Sequence, residues 1–328
     1  MTVIDVHTHM LSRDYLKLLY EKGAPQFSAD TNSAGEDIIR LWDAPFMTLQ
    51  SQMWDYDKRI ADMNAAGVDL AIVSLTCPNA YFGTAETSLA AARMVNDSMA
   101  EQQTARPDRI RWFASLPWQH EALALAELER ATTAGAVGVM VIANIDGENL
   151  THPRFANIWQ AIDRKALPVL VHPGTPQGSR DMHLDEYGLV PPVGFVADTT
   201  LAFSRLIYDG FLDRYPNLKL IAAHGGGTLP YIAGRLDQCH AKIPACSATT
   251  STRPSEYLRR IWYDAVVYSP AALALCIETA GTDERVLYGS DYPHNIGDMS
   301  GCLQRVNGLP ALSSRRIRGD NAIKLFRL

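Results

Sequence analysis

The sequence predicts an α/β protein, a (β/α)8 TIM barrel with a small insertion after strand 1. Two observations favour this fold class. Short β-rich runs recur eight times along the chain, and each is followed by a segment with helical periodicity. The predicted strands are residues 3–6, 70–75, 110–116, 136–142, 168–171, 218–222, 261–267 and 286–288.

The character of these runs supports a closed parallel sheet. Residues 169–171 and 218–222 are almost continuously apolar, as expected of parallel strands that are buried on both faces. An open, doubly wound sheet is the alternative, because it uses the same alternation of strands and helices. We favour the barrel because no glycine-rich phosphate loop follows the first strand.

The segments between the strands carry local signals for helix ends and for one insertion. A helix is predicted over 54–66, ending at Gly67, a residue type suited to the position after a helix. Asp198 is predicted to cap a helix over 199–214. Residues 12–50 lack a long periodic pattern, so we expect them to form the insertion at the mouth of the site.

The amino-acid composition limits the classes of function that this protein can have. The chain has 328 residues, of which 47% are hydrophobic and 20% are charged, which is typical of a globular protein with a large core. We expect residues 1–328 to form a single domain. The net charge of −6 gives no support for a nucleic-acid partner. No run of about 18 apolar residues predicts a membrane span.

Cysteine usage and the N-terminal sequence predict a cytoplasmic protein. The five cysteines include no CxxC pair, which argues against a disulfide framework or a thiolate metal site. Asp5, His7 and His9 interrupt the apolar character of the N-terminal segment, so we expect no signal peptide.

A pair of histidines ends the first predicted strand. Residues two apart in an extended segment point to the same side, so His7 and His9 present two imidazoles in one direction. Imidazole is a common ligand of divalent metals. An HxH pattern alone is weak, because buried histidines often serve packing only.

Further polar residues follow other predicted strands. His172 follows strand five, His224 follows strand six and Asp291 follows strand eight. The carboxyl ends of barrel strands share one rim, where active sites are built. Satisfied core histidines and a capping aspartate would be the structural alternative. The repeated occurrence of ligand-type residues at strand ends instead predicts a metal centre.

This centre is expected to combine nitrogen and oxygen ligands without thiolate. The predicted metal ligands are His7, His9, His172 and Asp291. A catalytic metal lowers the pKa of bound water and acts as a Lewis acid. His224 could be a further ligand, but the three glycines after it favour an acid/base role beside the metal-bound water. Asp264 could be a buried hydrogen-bonding residue or a partner of the site.

The chain resembles the amidohydrolase superfamily on motifs that span nearly its whole length. It is similar to the branch that contains aminocarboxymuconate-semialdehyde, γ-resorcylate and 5-carboxyvanillate decarboxylases. The matching segments are residues 5–9, 54–63, 171–173, 211–219, 223–227 and 289–293.

The resemblance implies an activity and a cofactor. It implies a non-oxidative decarboxylase, a carbon–carbon lyase that acts on an aromatic or muconate-type unsaturated carboxylic acid. One divalent metal ion is implied, with Zn²⁺ expected and Mn²⁺ as the alternative, and strand four ends without the lysine that a second metal would need. His224 and Asp291 are then the catalytic residues that deliver a proton. A homodimer is also implied.

The chain departs from this branch at positions that contact substrate. Met47 stands where the aminocarboxymuconate enzyme has an arginine, Ile243 near a partner-subunit arginine and Pro191 near a tryptophan. Those groups hold a dicarboxylate, so we expect a less charged substrate here. The predicted substrate contacts are Arg235, His294 and Arg180.

Two other functions are compatible with these residues. A hydrolase or hydratase acting on a lactone or a ring-cleavage product would use the same metal and water. A non-catalytic metal-binding module would be expected to lack a ligand or His224, and none is missing. Release of CO2 separates the decarboxylase from both.

Overall fold

A computed structural model describes residues 2–42 and 44–328. Its strands and α-helices, in chain order, are β1 (Ile4–His9), α1 (Arg13–Lys22), β2 (Phe27–Thr31), β3 (Asp37–Leu41), β4 (Ala44–Thr48), α2 (Tyr56–Ala66), β5 (Leu70–Ser74), α3 (Ala85–Ala105), β6 (Ile110–Ala114), α4 (Glu121–Thr133), β7 (Gly138–Ile142), β8 (Asn144–Ile145), β9 (Glu148–Asn149), α5 (Ala156–Lys165), β10 (Pro168–His172), α6 (Phe195–Tyr208), α7 (Phe211–Arg214), β11 (Lys219–Ala222), α8 (Leu229–Lys242), α9 (Pro254–Leu258), β12 (Trp262–Asp264), α10 (Pro270–Ala280), β13 (Val286–Leu287), α11 (Met299–Asn307), α12 (Ala311–Arg315) and α13 (Asn321–Phe326).

Eight parallel strands form the central sheet. Their order is β1, β5, β6, β7, β10, β11, β12 and β13. The first and last segments also meet, because the backbone N–H of Val6 donates to the carbonyl of Tyr288 at 3.0 Å and Thr8 forms a parallel bridge with Tyr292. The sheet is therefore nearly closed into a barrel. This confirms the predicted fold class over the open sheet.

The barrel strands are almost entirely buried. Every residue of β7 and β10 is buried, since one face fills the interior and the other is covered by helices. Burying a valine, leucine or isoleucine side chain stabilises the fold by about 1.5–3 kcal/mol. This apolar core places the carboxyl ends of the strands rigidly at one rim.

Residues 12–50 contain a helix and a small sheet of their own. Helix α1 is followed by strands β2, β3 and β4, which pair antiparallel in that order. The ring of Phe27 lies 6.4 Å from the ring of Phe82, which joins the sheet to the barrel core. These short strands gave no sequence signal, because their pairing depends on contacts between segments that are separated along the chain.

The predicted helix over 54–66 is confirmed by α2. Asp55 caps it by accepting hydrogen bonds from the backbone N–H groups of Asp57 and Lys58. Gly67 follows it with a φ of 77°, the left-handed conformation that glycine adopts readily.

The predicted cap at Asp198 is wrong. Helix α6 begins three residues earlier, at Phe195, and Asp198 lies inside its first turn. The Asp198 carboxylate instead accepts hydrogen bonds from the Gly174 backbone at 2.9 Å and from the Asn144 side chain. The sequence pattern predicted that this carboxylate caps a helix, but in the structure it makes a tertiary contact at the rim of the barrel. Burial raises the pKa of Asp198 to about 6.

Within residues 2–42 and 44–328, no helix has both the length and the apolar character needed to span a membrane.

Candidate metal centre

The five residues singled out by the strand ends meet at the rim of the barrel. His7 and His9 lie in β1, His172 ends β10, and His224 follows β11. His7, His9, His172 and Asp291 are at most 3% exposed. Oδ1 of Asp291 lies 3.4 Å from Nε2 of His7 and 3.2 Å from Nε2 of His9. Segments almost 300 residues apart in sequence therefore share one site.

Hydrogen bonds at Nδ1 fix the orientation of the His7 and His172 rings and so the direction in which Nε2 points. Nδ1 of His7 lies 2.6 Å from Oδ2 of Asp264, and Nδ1 of His172 lies 2.8 Å from the carbonyl oxygen of Pro173. Carboxylate and carbonyl oxygens accept, so both Nδ1 atoms carry a hydrogen. The lone pairs at Nε2 are then directed into the cluster, the arrangement that metal-binding histidines use.

Five buried atoms of the cluster residues have no hydrogen-bond partner. They are Nε2 of His7, His9 and His172, Oδ1 of Asp291 and Nδ1 of His224. Nδ1 of His9 is engaged with Ser74 Oγ at 3.1 Å, so this ring too directs Nε2 inward. Leaving buried polar atoms unpaired is costly, and their convergence needs an explanation. Three imidazole nitrogens and one carboxylate oxygen fit a single divalent cation.

Ligand atoms that lie within 4.8 Å of one another form two overlapping groups. One comprises His7, His172, His224 and Asp291, and the other comprises His9, Asp291 and His294. His224 and His294 are therefore within reach of the same centre. Nε2 of each has a hydrogen-bond partner, which is Oδ2 of Asp291 at 3.4 Å for His224 and Thr76 Oγ1 at 3.1 Å for His294. The unpaired Nε2 atoms favour His7, His9 and His172, together with Asp291, as the ligand set.

Protonation states in the cluster suit a cation. Burial lowers the pKa of His9 to about 3 and that of His172 well below its usual value, so both imidazoles are neutral. Burial opposes the ionised form of Asp291, but its contacts with the imidazoles of His224 and His9 hold its pKa well below the ordinary range. Burial opposes protonation of His7, but the Asp264 carboxylate beside it raises its pKa above the ordinary value. The centre thus offers two neutral nitrogen ligands, His9 and His172, and a charged oxygen ligand.

The loops that present His224 and Asp291 adopt unusual backbone conformations. His224 has a φ of 54° and Asp291 a φ of 57°, a region that residues other than glycine rarely occupy. Gly225 also has a positive φ, and a Cβ there would lie 2.6 Å from Cγ1 of Val267. The carboxylate of Asp264 accepts hydrogen bonds from the backbone N–H groups of His224 and Gly225, both at 3.0 Å. Asp264 therefore holds the strained loop and the His7 ring together.

A buried arginine braces the segments on which His9 and Asp291 lie. Arg59 is fully buried and donates to the carbonyl of His9 and to Thr8 Oγ1, and its guanidinium lies 4.7 Å from the ring centroid of Tyr292. Tyr292 follows Asp291 directly, so one side chain contacts both segments.

We expect Arg59→Met to lower metal affinity by about 10-fold and to reduce stability by about 1.5–3 kcal/mol, because the end of β1 loses charged hydrogen bonds. Chelator competition and thermal unfolding measure the two effects. Arg109→Met is the matched control, since Arg109 also donates to backbone carbonyls, those of Val68 and Asp69. Unchanged metal affinity in the Arg59 variant would contradict the bracing role.

A cavity of about 350 Å³ opens above the cluster. Its floor includes His172, His224, Asp291 and His294, which connects it directly to the metal centre. The rest of its lining comes from the insertion and from later loops: Ile38, Ala44, Pro45, Phe46, Met47, Thr48, Cys77, Leu184, Asp185, Gly188, Val190, Pro191, Phe195, Asn295 and Ile296.

The predicted substrate contacts occupy three different places. His294 lines the cavity. Arg180 is exposed, lies 5.7 Å from the Trp42 ring, and lines an outer depression that borders the cavity. The two share the lining residues Ala44, Pro45, Phe46, Asp185 and Val190. Arg235 is exposed on α8 and is not part of the described cavity lining. Substrate binding by each of these residues stays a prediction.

A family model described as Amidohydrolase matches residues 4–328. The chain belongs to this family. The superfamily resemblance read from the sequence motifs is thereby confirmed, and the match includes all four predicted ligand residues of this amidohydrolase.

Named relatives of this amidohydrolase are decarboxylases. It is 29% identical over 332 residues to a 2-amino-3-carboxymuconate-6-semialdehyde decarboxylase of Dictyostelium discoideum, covering 99% of this chain and 91% of that protein. It is 29% identical over 301 residues to a γ-resorcylate decarboxylase of Polaromonas sp. strain JS666, covering 87% and 92%. A crystal structure of 5-carboxyvanillate decarboxylase from Sphingomonas paucimobilis superimposes with a TM-score of 0.87 at 25% identity, covering 100% of this chain and 99% of that one.

Three residues of the amidohydrolase site carried little sequence signal. Asp264 lies within the predicted strand 261–267, and the sequence left open whether it is a buried hydrogen-bonding residue or a partner of the site. Ser74 ends a strand but is a common core residue. Arg59 lies in a helix, where its burial beneath the site could not be read from periodicity.

Proposed function

We propose that this amidohydrolase is a metal-dependent, non-oxidative decarboxylase that releases CO2 from an aromatic or muconate-type unsaturated acid. The observation that carries the proposal is the set of unpaired buried ligand atoms of His7, His9, His172 and Asp291, of which His172 and Asp291 line a largely apolar cavity. The decarboxylases reported above, which share the chain over most of its length, support the reaction type.

The proposed ligands are Nε2 of His7, His9 and His172 together with Oδ1 of Asp291. A set of nitrogen and oxygen donors without thiolate suits Zn²⁺, with Mn²⁺ as the alternative. When bound, such a cation supplies Lewis-acid stabilisation of negative charge on a substrate oxygen.

His224 and Asp291 are the residues that we propose move the proton that the reaction needs. The His224 side chain is 10% exposed, lines the cavity and contacts Oδ2 of Asp291 at 3.4 Å. The carbon that bears the carboxylate takes up a proton from this pair. The bond to the carboxylate then breaks, CO2 leaves, and its electron pair restores the substrate π-system. Phe46 and Phe195 line the cavity and offer apolar surface to an unsaturated ring.

Metal analysis combined with CO2 measurement tests this proposal. We expect one divalent ion per chain, no CO2 release after chelator treatment, and recovery when the metal is returned. A panel of hydroxybenzoic and muconate-type acids provides the substrates. Full activity of the stripped protein would refute the proposal, and a product that keeps its carboxylate and gains water would favour the hydrolase or hydratase.

Replacing His224 with alanine separates its two proposed roles. The acid/base role predicts that His224→Ala keeps its metal while kcat falls by about 10²–10⁴-fold. Metal content and single-substrate kinetics measure this. His152→Ala is the matched control, because the His152 side chain is 45% exposed and is not part of the cavity lining. Loss of metal from the His224 variant would instead indicate that His224 is a metal ligand.

We also propose that this protein works on a small carboxylic acid as a cytoplasmic homodimer. The five cysteines form no disulfide, as a reducing compartment would require. Light scattering of the purified chain tests the dimer.

A further inference from the structure

Two of the proposed metal ligands, His7 and His172, differ in what their Nδ1 atoms contact. Nδ1 of His7 lies 2.6 Å from a carboxylate, that of Asp264. Nδ1 of His172 instead donates to the carbonyl oxygen of Pro173 at 2.8 Å. A neutral carbonyl is a weaker acceptor than a carboxylate. By this contact alone, the His172 ring would be held less firmly than the His7 ring.

The Pro173 carbonyl belongs to a peptide group that also contacts a carboxylate. The N–H of this peptide group is that of Gly174, and it donates to Oδ2 of Asp198 at 2.9 Å. Because a trans peptide is planar, its C=O and N–H point in opposite directions and move together. The His172 ring and the Asp198 carboxylate therefore contact opposite sides of one rigid unit.

The Asp198 carboxylate is itself fixed in place. Asp198 is 4% exposed, and Nδ2 of Asn144 donates to its Oδ1 at 3.0 Å and its Oδ2 at 2.9 Å. The same amide donates to the carbonyl of Thr175 at 3.2 Å. A Cβ at Gly174 would lie 2.7 Å from Cγ2 of Ile142, so close packing leaves the peptide little room to rotate.

We propose that Asp198 is a positioning residue of the metal centre, which acts on His172 through the Pro173–Gly174 peptide. Its negative charge polarises the peptide and makes the Pro173 oxygen a stronger acceptor. The His172 ring is then held with Nε2 directed to the centre, and Nε2 becomes a better ligand, as it does in histidines that contact a carboxylate directly. This inference rests on the metal centre of the proposed function.

Zinc affinity, measured by competition with a chelator, is the first test. Burial raises the pKa of Asp198 to about 6, so measurements at about pH 8 keep it ionised. Asp198→Ala removes the acceptor and the charge, and we expect zinc affinity to fall about 10-fold, the lower end of the effect of losing a direct partner. Asp198→Asn keeps an acceptor for the Gly174 N–H, and we expect a loss of about 3-fold, because a neutral hydrogen bond is weaker. Zinc affinity equal to that of the parent protein in Asp198→Ala, or in Asp198→Asn if the alanine variant does not fold, would overturn the inference.

Asp163→Ala is the matched control. The Asp163 carboxylate likewise accepts from a backbone N–H and a side-chain amide, both of Asn217, at 2.7 Å and 3.2 Å. Asn217 precedes β11, so this contact lies at the end of the barrel opposite to the metal centre. We expect Asp163→Ala to bind zinc as tightly as the parent protein. An equal loss of affinity in this variant would show a general effect of destabilisation and would overturn the role of Asp198.

NMR of the metal-free, ¹⁵N-histidine-labelled protein gives a readout that destabilisation alone does not move. The Nδ1 proton of His172 is identified by its absence in His172→Gln. We expect it to shift upfield in Asp198→Ala and by less in Asp198→Asn, because its hydrogen bond to Pro173 weakens. The Nδ1 proton of His7, which contacts Asp264, should stay in place. An unmoved His172 proton would overturn the inference.

Failure of this inference differs from failure of the proposed function, because neither readout depends on CO2 release. If the His172 proton shifts but the parent protein binds no zinc and releases no CO2, the proposed function fails and the link from Asp198 to His172 stands. If the parent protein binds zinc and releases CO2 while the Asp198 variants leave zinc affinity and the His172 proton unchanged, the inference fails and the proposed function stands.

Discussion

Alanine in place of His172 is expected to abolish metal binding and CO2 release together. The His172 ring is 1% exposed, its Nδ1 donates to the Pro173 carbonyl, and its Nε2 is an unpaired donor atom of the cluster. Loss of the cation removes several kcal/mol of stabilisation of developing charge, so activity should fall by at least about 10³-fold. Metal content by mass spectrometry and CO2 release by manometry give the two readouts.

Asp291→Ala should also lose both metal binding and CO2 release, because Asp291 supplies the charged oxygen ligand and contacts His224. The exposed histidine variant His152→Ala should keep both metal and activity. Stoichiometric metal in the His172 variant would show that the cluster is held by other groups, and the proposed ligand set would have to be abandoned.

Asparagine in place of Asp264 is expected to weaken metal binding by about 10–100-fold, the effect of removing a hydrogen-bond partner of a ligand. The Asp264 carboxylate accepts from Nδ1 of His7 at 2.6 Å and from the backbone N–H groups of His224, Gly225 and Val266, each at 3.0 Å. An amide can use only one of its two polar atoms as an acceptor. The N–H groups that lose their acceptor should therefore also lower the free energy of unfolding by about 1–3 kcal/mol.

Competition with a chelator measures the affinity of the Asp264 variant, and denaturant unfolding measures its stability. Asp237→Asn is a matched control, since Asp237 accepts hydrogen bonds from the backbone and the hydroxyl of Ser255 away from the centre. An Asp264 variant that binds metal as tightly as the parent protein would show that the orientation of His7 does not depend on this carboxylate.

The arrangement of the metal centre could be predicted from the local sequence pattern together with the topology of a parallel barrel. Period-two spacing placed His7 and His9 on one side, and the shared rim of a parallel barrel brought His172 and Asp291 to them. The structure places the side chains together, with Oδ1 of Asp291 within 3.4 Å of two ring nitrogens. Asp264 was visible as a polar residue within the predicted strand 261–267, but its partner was not.

Local pattern failed where a contact joins distant segments. Asp198 has the chemistry of a helix cap, yet it hydrogen-bonds Gly174 and Asn144 across the rim. Arg59 looked like an ordinary helix residue and proved to be buried beneath His9. In both cases the partner is chosen by packing, which depends on how the elements are arranged in space.

The sequence by itself determined the eight-stranded barrel and the residue types at its rim, because strand and helix periods are properties of neighbouring residues. Only the tertiary structure decided which nitrogen of each histidine faces the centre, and that the insertion covers it with an apolar wall. Those features arise from hydrogen bonds and packing between segments tens to hundreds of residues apart. No local pattern encodes which of the possible partners will be adjacent once the barrel has closed.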